Sequence, residues 1–370
     1  MDEYSTSTQQ FRATMQTFVE HEMFDMLASQ LYPNLPKEEL KQRLLALEGV
    51  DQFQSMFMYR GCQWVIEHTM SRFTYSGTEY LDHTPRLFVS NHRDIVLDAM
   101  MLQYILVDKG LPTTHVIIGA NLFEIPIMPV LAQLNKMYSI GRGGNRREYY
   151  RCLTEMSHHL RHWVVERGES AWIAQRNGRT KDGIDHTDPS LVKMIASSGN
   201  TDNPLRTLAE MNITPVSVSY EWEPCAALKA RELCLRSRAN ALGQAYAKVP
   251  GEDMQSVLSG ITDFKGHVHF TICQPIGYDE LAQSIPTPHS KAEEKACYQA
   301  VAALIDRRIT NGYHTTPNNH IATQMLNGTA SDHTPERQAF EAYVDQACRQ
   351  YPLGDDFRRR LLAIYSSSDH

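Results

Sequence analysis

The segment RLFVSNHRDIVLDAMML, residues 86–102, sets the expected fold of this chain. An apolar run that ends at Ser90 is typical of a buried strand, and apolar residues at helical spacing follow it. The polar turn NHRD, residues 91–94, lies between the two patterns. In an α/β protein such a turn lies at the carboxyl edge of the sheet, where ligand sites usually form. We therefore expect a functional site around this turn.

His92 is a candidate general base, because a neutral imidazole titrates near pH 7. A carboxylate that accepts a hydrogen bond from the other ring nitrogen would orient it. Asp94 and Asp98 lie two and six residues after His92, and either could do this. Asp94 also suits a helix N-terminus, where a carboxylate caps exposed N–H groups. The competing interpretation is a capping aspartate beside a solvated histidine.

Beyond residue 86, short apolar runs alternate with longer helical patterns. The runs predict strands at Arg86–Ser90, His115–Gly119, Met137–Ile140, Ser170–Ala174, Ile213–Tyr220 and His267–Cys273. Helices are predicted between them at Asp94–Val107, Arg146–Arg167 and Ala227–Ala247. This alternation predicts an α/β fold with a mostly parallel central sheet flanked by helices.

Helical patterns dominate both ends of the chain. We expect a helical N-terminal region at residues 1–75, an α/β domain at 76–280 and a helical C-terminal region at 281–370. The N-terminal methionines and aromatics indicate either packing between helices or a lipid-facing surface. The C-terminal region predicts helices at Lys291–Arg308, Pro335–Gln350 and Asp355–Tyr365, with a loop or weakly ordered linker over residues 311–334.

The overall composition excludes several classes of protein. A formal net charge of -7 argues against a nucleic-acid partner, which needs a basic surface. The seven cysteines are scattered, so we expect reduced thiols and a cytoplasmic location. The N-terminus is acidic and polar, unlike a secretory signal, and no apolar run reaches the ~18 residues of a membrane span. Any membrane contact is therefore expected to be peripheral, on the inner face.

Basic side chains follow two of the predicted strands. Arg176, Arg179 and Lys181 crowd the turn after Ser170–Ala174, and Arg142 closely follows Met137–Ile140. The guanidinium fork matches phosphate oxygens, so these turns predict a phosphate pocket. Gly178 and Gly183 permit a tight backbone in the same turn.

The order of these segments resembles the glycerolipid acyltransferases, which include glycerol-3-phosphate and lysophosphatidate acyltransferases. The similarity covers roughly residues 76–280. The N-H-x-x-x-x-D motif of the family is similar to residues 91–98, although Asp98 stands one residue later. The second block corresponds to Glu124, Pro126 and residues 139–142, the third to residues 177–179, and the fourth to residues 213–218. Asn177 replaces the glutamate of the third motif, and Thr180 stands where its arginine is expected.

The resemblance implies an O-acyltransferase of phospholipid biosynthesis. It would move a fatty acyl group from an acyl thioester, acyl-CoA or acyl-carrier protein, to a hydroxyl of 1-acyl-glycerol-3-phosphate or glycerol-3-phosphate. No metal or other cofactor is implied. His92 would be the base, with Asp98 or Asp94 as its carboxylate. The implied substrate-binding residues are Arg93, Arg142, Arg176, Asn177, Gly178, Arg179, Lys181 and Pro215, of which Arg142 and Arg179 would hold the phosphate. The alternative is a non-catalytic lipid or acyl-carrier binding module on the same fold.

Overall fold

The computed structural model describes residues 7–140, 146–199, 203–249, 251–329 and 334–367. Within these residues, seven strands form one sheet. They are β1 (Met70–Ser76), β2 (Leu87–Ser90), β3 (His115–Gly119), β4 (Met137–Ile140), β5 (Ala171–Ala174), β6 (Ile213–Tyr220) and β7 (Gly266–Ile272). Their order across the sheet is β1-β7-β6-β2-β5-β3-β4. All neighbouring strands run parallel except β6 and β7, so the predicted mostly parallel sheet is confirmed.

Each of the six predicted strands is present, with its ends within one residue of the prediction. Strand β1 was not predicted. Its sequence MSRFTYS mixes polar and apolar residues, and its central residues are exposed or half-buried. An edge strand of this kind pairs with a neighbour on one side only, so it needs no continuous apolar run. Because β1 belongs to the sheet, the α/β core begins a few residues before residue 76.

Seventeen α-helices surround the sheet in the described part of the chain. The N-terminal helices are α1 (Thr8–Glu20), α2 (Phe24–Leu31), α3 (Lys37–Leu45), α4 (Val50–Phe53) and α5 (Tyr59–Thr69), with a π-helical segment at Gln54–Met58. The helices that alternate with strands are α6 (Leu97–Asp108), α7 (Met128–Leu134), α8 (Arg146–Arg161), α9 (Pro189–Ala196), α10 (Pro204–Glu210), α11 (Ala226–Ala241) and α12 (Glu252–Thr262). The C-terminal helices are α13 (Tyr278–Ser284), α14 (Lys291–Asn311), α15 (Pro317–Asn327), α16 (Pro335–Gln350) and α17 (Asp355–Ser366).

The predicted loop over residues 311–334 is wrong, because helix α15 occupies much of it. Proline at the first position and a capping box formed by Thr316 and Asn319 start this helix. The side-chain amide of Asn318 donates to the carbonyl of Glu221, and that of Asn319 donates to the carbonyl of Tyr365. These polar residues, which suggested a loop, are therefore buried and donate hydrogen bonds to neighbouring segments.

Alternating side chains of the strands feed a core on each face of the sheet. In β2, Leu87 and Val89 face one apolar cluster, and Phe88 faces the other. A third cluster joins the N-terminal helices, where Phe18 meets Phe24 edge-on with ring centroids 5.5 Å apart. The aromatics of this region therefore pack between helices, as one of the two interpretations predicted. Among the described helices, none is both long enough and apolar enough to cross a bilayer.

The C-terminal helix α17 contacts the loop that follows β5. Gly183 in this loop has φ +80°, and a Cβ built there would collide with the carbonyl oxygen of Ile364 and the hydroxyl of Ser367. Only glycine fits both the left-handed conformation and the close approach. Helix α17 therefore holds the same loop that carries the predicted cationic residues.

We predict that Gly183→Ala lowers the free energy of unfolding by more than the ~1–2 kcal/mol cost of a left-handed alanine, because the helix must also move. Gly168→Ala is the matched control, since Gly168 has φ +70° and a Cβ added there would meet no atom within 4 Å. Urea unfolding of both variants measures the difference. Equal losses would contradict the close packing of α17 on this loop.

Candidate active site

The ring of His92 and the carboxylate of Asp98 are in direct contact. His92 follows β2, and Asp98 lies in the first turn of α6. The Nδ1 atom of His92 lies 2.9 Å from Oδ2 of Asp98. The Asp98 side chain is fully buried, whereas 14% of the His92 side chain is exposed. With Asp98 ionised, Nδ1 carries the proton and Nε2 is the basic nitrogen of the ring.

The turn accommodates the one residue by which the spacing from His92 to Asp98 exceeds that of the family motif. The backbone N–H groups of Arg93 and Asp94 both donate to Oδ2 of Asp98, at 2.7 and 2.9 Å. The backbone thus curls around the carboxylate before the helix starts. A six-residue separation therefore still brings the carboxylate to the imidazole.

Asp94 has a different task. Its Oδ1 atom accepts hydrogen bonds from the backbone N–H groups of Val96 and Leu97, both at 2.8 Å. These groups belong to the start of α6, so Asp94 caps the helix. Of the two carboxylates that the sequence left open, Asp98 is the one that contacts the ring.

Arg93 lies behind the turn, not among the described residues that line the cavity next to His92. Its guanidinium is 2% exposed, and Nη2 lies 2.6 Å from Asp185 while Nη1 lies 3.4 Å from Glu223. Burial opposes its charge, but Asp185, Tyr313 and Glu223 outweigh this and raise the pKa of Arg93 well above its ordinary value. The prediction that Arg93 contacts substrate is corrected by this burial, because its donors are directed at internal carboxylates.

Lys229 completes this buried group of charges. Its ammonium donates to the backbone carbonyl of Arg93 and to Glu223, each at 2.6 Å. Asn91 joins the group, since its amide donates to Asp185 at 3.0 Å and also pairs with the backbone of Val218. The turn NHRD is thereby tied to β6, to α11 and to the loop after β5.

A cavity of about 730 Å³ opens at the carboxyl edge of the sheet, and His92 lines it. The loop after β5 borders it, because β5 is the neighbour of β2 and Ala174 pairs with Ser90. The N–H of Thr180 also donates to the carbonyl of His92 at 2.8 Å. The predicted residues that line the cavity with His92 are Arg176, Asn177, Gly178, Arg179 and Lys181.

Arg179 has an unfilled donor. Its Nη2 atom donates to the hydroxyl of Ser256 on α12 at 2.7 Å. Its Nη1 atom is buried and donates to no oxygen or nitrogen atom of the described residues, while the guanidinium also interacts with the thiol of Cys225. A buried guanidinium nitrogen without an acceptor costs free energy, so an anion in the cavity would be stabilised there.

Three other cations that line the same part of the cavity are paired with carboxylates, whereas Arg176 has only a 3.4 Å contact with the ring of His186. Lys181 contacts Glu232, and burial lowers the pKa of Lys181 while this contact opposes the shift. Arg236 also pairs with Glu232, and Lys248 pairs with Asp253. Arg142 lies outside the described residues. Among the described predicted cations that line the cavity, Arg176 and Arg179 have no carboxylate partner, and Arg179 is the buried one of the two.

The rest of the cavity is mostly apolar and runs between the sheet and helices α5, α6 and α7. Its lining includes Met58, Cys62, Met100, Tyr104, Val116, Leu131, Met137 and Trp172. Gln54 and Thr113 also line it and are joined by a 2.5 Å hydrogen bond. Pro215 is not among the described lining residues. It is buried in β6, opposite Val89 of β2, so it shapes the sheet and not the cavity wall.

Several residues of this site carried no recognisable sequence signal. Asp185, Glu223 and Lys229 come from separate segments, and no short spacing links them to Arg93. Ser256 and Tyr220 are single polar residues whose neighbours are set by tertiary structure. The one available signal is that Tyr220 ends β6, next to β2 in the sheet.

A comparison with protein families agrees with the motifs. Residues 72–214 match a family model described as Acyltransferase, and they contain His92, Asp98 and Arg179. No curated protein is significantly similar to the chain. The solved 1-acyl-sn-glycerophosphate (LPA) acyltransferase PlsC from Thermotoga maritima matches with 12% identity and a TM-score of 0.40, over 81% of this chain and 95% of that one. The match indicates an acyltransferase domain over residues 72–214, and it supports an acyltransferase enzyme.

Proposed function

We propose that this enzyme transfers a fatty acyl group from an acyl thioester to the hydroxyl of a lysophospholipid-type acceptor, 1-acyl-glycerol-3-phosphate or glycerol-3-phosphate. The observation that carries the proposal is one cavity that contains three kinds of group. The His92–Asp98 pair, the open donor of Arg179 and an apolar lining all border it. They match the reacting hydroxyl, the phosphate and the acyl chain of such a reaction.

The pair supplies a base at the reacting oxygen. Nε2 of His92 takes the proton of the acceptor hydroxyl as that oxygen attacks the thioester carbonyl. The tetrahedral intermediate then expels the thiolate, which takes the proton from the imidazolium. Asp98 holds the ring in the tautomer that leaves Nε2 free and stabilises its positive charge. General base catalysis of this kind contributes about 10²–10⁴-fold.

The acceptor phosphate is proposed to bind at Arg179. Ser256 fixes one side of the guanidinium and leaves Nη1 for a phosphate oxygen. Such a contact orients the hydroxyl toward His92, and positioning lowers the barrier further. The apolar part of the cavity is proposed to take acyl chain, because each buried CH₂ contributes about 0.8 kcal/mol. The donor is proposed to be acyl-CoA or acyl-carrier protein.

The non-catalytic binding module loses its main support. That alternative depended on the altered spacing between His92 and Asp98. The 2.9 Å contact between their side chains supports an intact pair instead. Asn177 still differs from the family motif, and it lines the cavity as a neutral acceptor.

A segment beside the cavity is proposed to dock on a lipid bilayer. Arg236 of α11 and Lys248 line the cavity, and the chain from α11 to β7 carries the exposed apolar residues Leu242, Val249, Leu258 and Phe264. Exposed apolar side chains near cations suit a bilayer surface, and a lipid acceptor would then reach the cavity without crossing water. The free state of all seven cysteines supports a cytoplasmic location.

We predict that His92→Ala lowers kcat by about 10³-fold or more, because a general base contributes about 10²–10⁴-fold to the rate. The assay follows labelled acyl transfer to glycerol-3-phosphate, 1-acyl-glycerol-3-phosphate and an unphosphorylated monoacylglycerol, with acyl-CoA and with acyl-carrier protein. Hydrolysis of each thioester without acceptor is subtracted. Circular dichroism checks that the variant is folded. A folded variant with wild-type turnover would exclude this mechanism.

We predict that Arg179→Ala raises KM for the phosphorylated acceptor by about 10–100-fold, as expected for a lost bond to a charged group. The KM for the donor and for the unphosphorylated acceptor should not change. Arg151→Ala is the control, because Arg151 is an exposed residue of α8 whose side chain is 70% accessible. A rise confined to the donor KM would assign Arg179 to the donor instead.

We predict that the double substitution Leu242→Asp and Val249→Asp weakens binding to vesicles of phosphatidylcholine and phosphatidylglycerol. Co-sedimentation measures the bound fraction, and turnover with water-soluble glycerol-3-phosphate should persist. Met26→Asp changes an exposed residue of α2 and is the comparison variant. Loss of binding in Met26→Asp but not in the double variant would move the contact to the N-terminal helices.

A further inference from the structure

The carboxylate of Asp98 has a second oxygen that faces away from His92. This Oδ1 atom accepts a hydrogen bond from the hydroxyl of Tyr220 at 2.8 Å. Tyr220 and Asp98 are each 1% exposed, so water does not compete for this contact. Tyr220 is the last residue of β6 and lies outside the segment that matches the family model.

The sheet explains how this phenol reaches the carboxylate. Val216 of β6 pairs with Ser90, the last residue of β2. Strand β6 continues for four more residues, so Tyr220 extends past the end of β2 to the start of α6. Its ring belongs to the same apolar cluster as Leu97 and Met101 of that helix. The packing of the ring therefore fixes the position of the hydroxyl.

The two oxygens of Asp98 have different partners. Oδ2 accepts from Nδ1 of His92 and from the backbone N–H groups of Arg93 and Asp94. These three donors fix one oxygen but leave the plane of the carboxylate free to turn about it. The Tyr220 hydroxyl fixes the second oxygen, and two fixed oxygens define the plane. The direction of the hydrogen bond to His92 follows from that plane.

We propose that Tyr220 is a positioning residue for acyl transfer, which acts by holding the Asp98 carboxylate in the orientation that aligns His92. This inference rests on the proposed roles of His92 and Asp98. It assigns no contact between Tyr220 and either substrate. Its effect should therefore fall on the chemical step and not on substrate binding.

The test begins with Tyr220→Phe, which removes the hydroxyl and keeps the ring that packs against α6. We expect kcat to fall roughly tenfold, as for one lost hydrogen bond to a charged group, while both KM values stay unchanged. Tyr365→Phe is the matched control, because Tyr365 is a buried tyrosine, 2% exposed, in α17. Its kcat should equal that of the wild type. Tyr220→Met also lacks the hydroxyl and should fall to the same kcat as Tyr220→Phe.

A double-mutant cycle with Asp98→Asn separates a positioning role from a merely structural one. If Tyr220 acts through Asp98, adding Tyr220→Phe to Asp98→Asn lowers kcat no further. Losses that multiply in the double variant would overturn the inference, and so would an unchanged kcat in Tyr220→Phe. Wild-type turnover in His92→Ala would instead refute the proposed mechanism. An inactive His92→Ala beside a fully active Tyr220→Phe would refute the positioning role alone.

Discussion

The candidate site depends on the hydrogen bonds that the buried carboxylate of Asp98 accepts. A fully desolvated carboxylate is costly unless its oxygens are hydrogen-bonded. Here the donors are the imidazole of His92, two backbone N–H groups of the turn and the phenol of Tyr220. One side chain thus fixes the end of β2, the start of α6 and the end of β6 relative to each other. The ring of His92 is held in one orientation because residues of β2, α6 and β6 all take part in the contacts of Asp98.

A buried set of charges supports that turn from behind. The guanidinium of Arg93 faces Asp185 and Glu223, and Lys229 neutralises Glu223 while it also holds the carbonyl of Arg93. Taking one partner from such a buried group leaves an uncompensated charge, which costs about 3–5 kcal/mol. The group therefore fixes the backbone of the turn without contacting the cavity. Charged residues next to a catalytic histidine need not bind substrate, and Arg93 illustrates the difference.

The sequence predicted the parts of this molecule that depend on local pattern. Buried strands such as β2, in which Leu87, Phe88 and Val89 follow one another, have short apolar runs, so their limits could be located closely. The pair of His92 with a following aspartate was also predictable, because strand, turn and helix are contiguous. Edge strand β1 and helix α15 were missed, since their stability comes from neighbours. Tyr220 and Ser256 were missed as site residues for the same reason, as no spacing along the chain connects them to the residues that they hold.

Some residues of the candidate site lie inside the segment that matches the family model, and others lie outside it. His92 and Asp98 lie within residues 72–214, the segment that matches the family model. Ser256, Arg236 and Lys248 lie beyond it, on α11, α12 and the chain between them. Because Ser256 accepts from one nitrogen of Arg179, the orientation of this guanidinium depends on structure outside the matched segment. The proposed base therefore lies inside the matched segment, whereas part of the proposed phosphate site lies outside it.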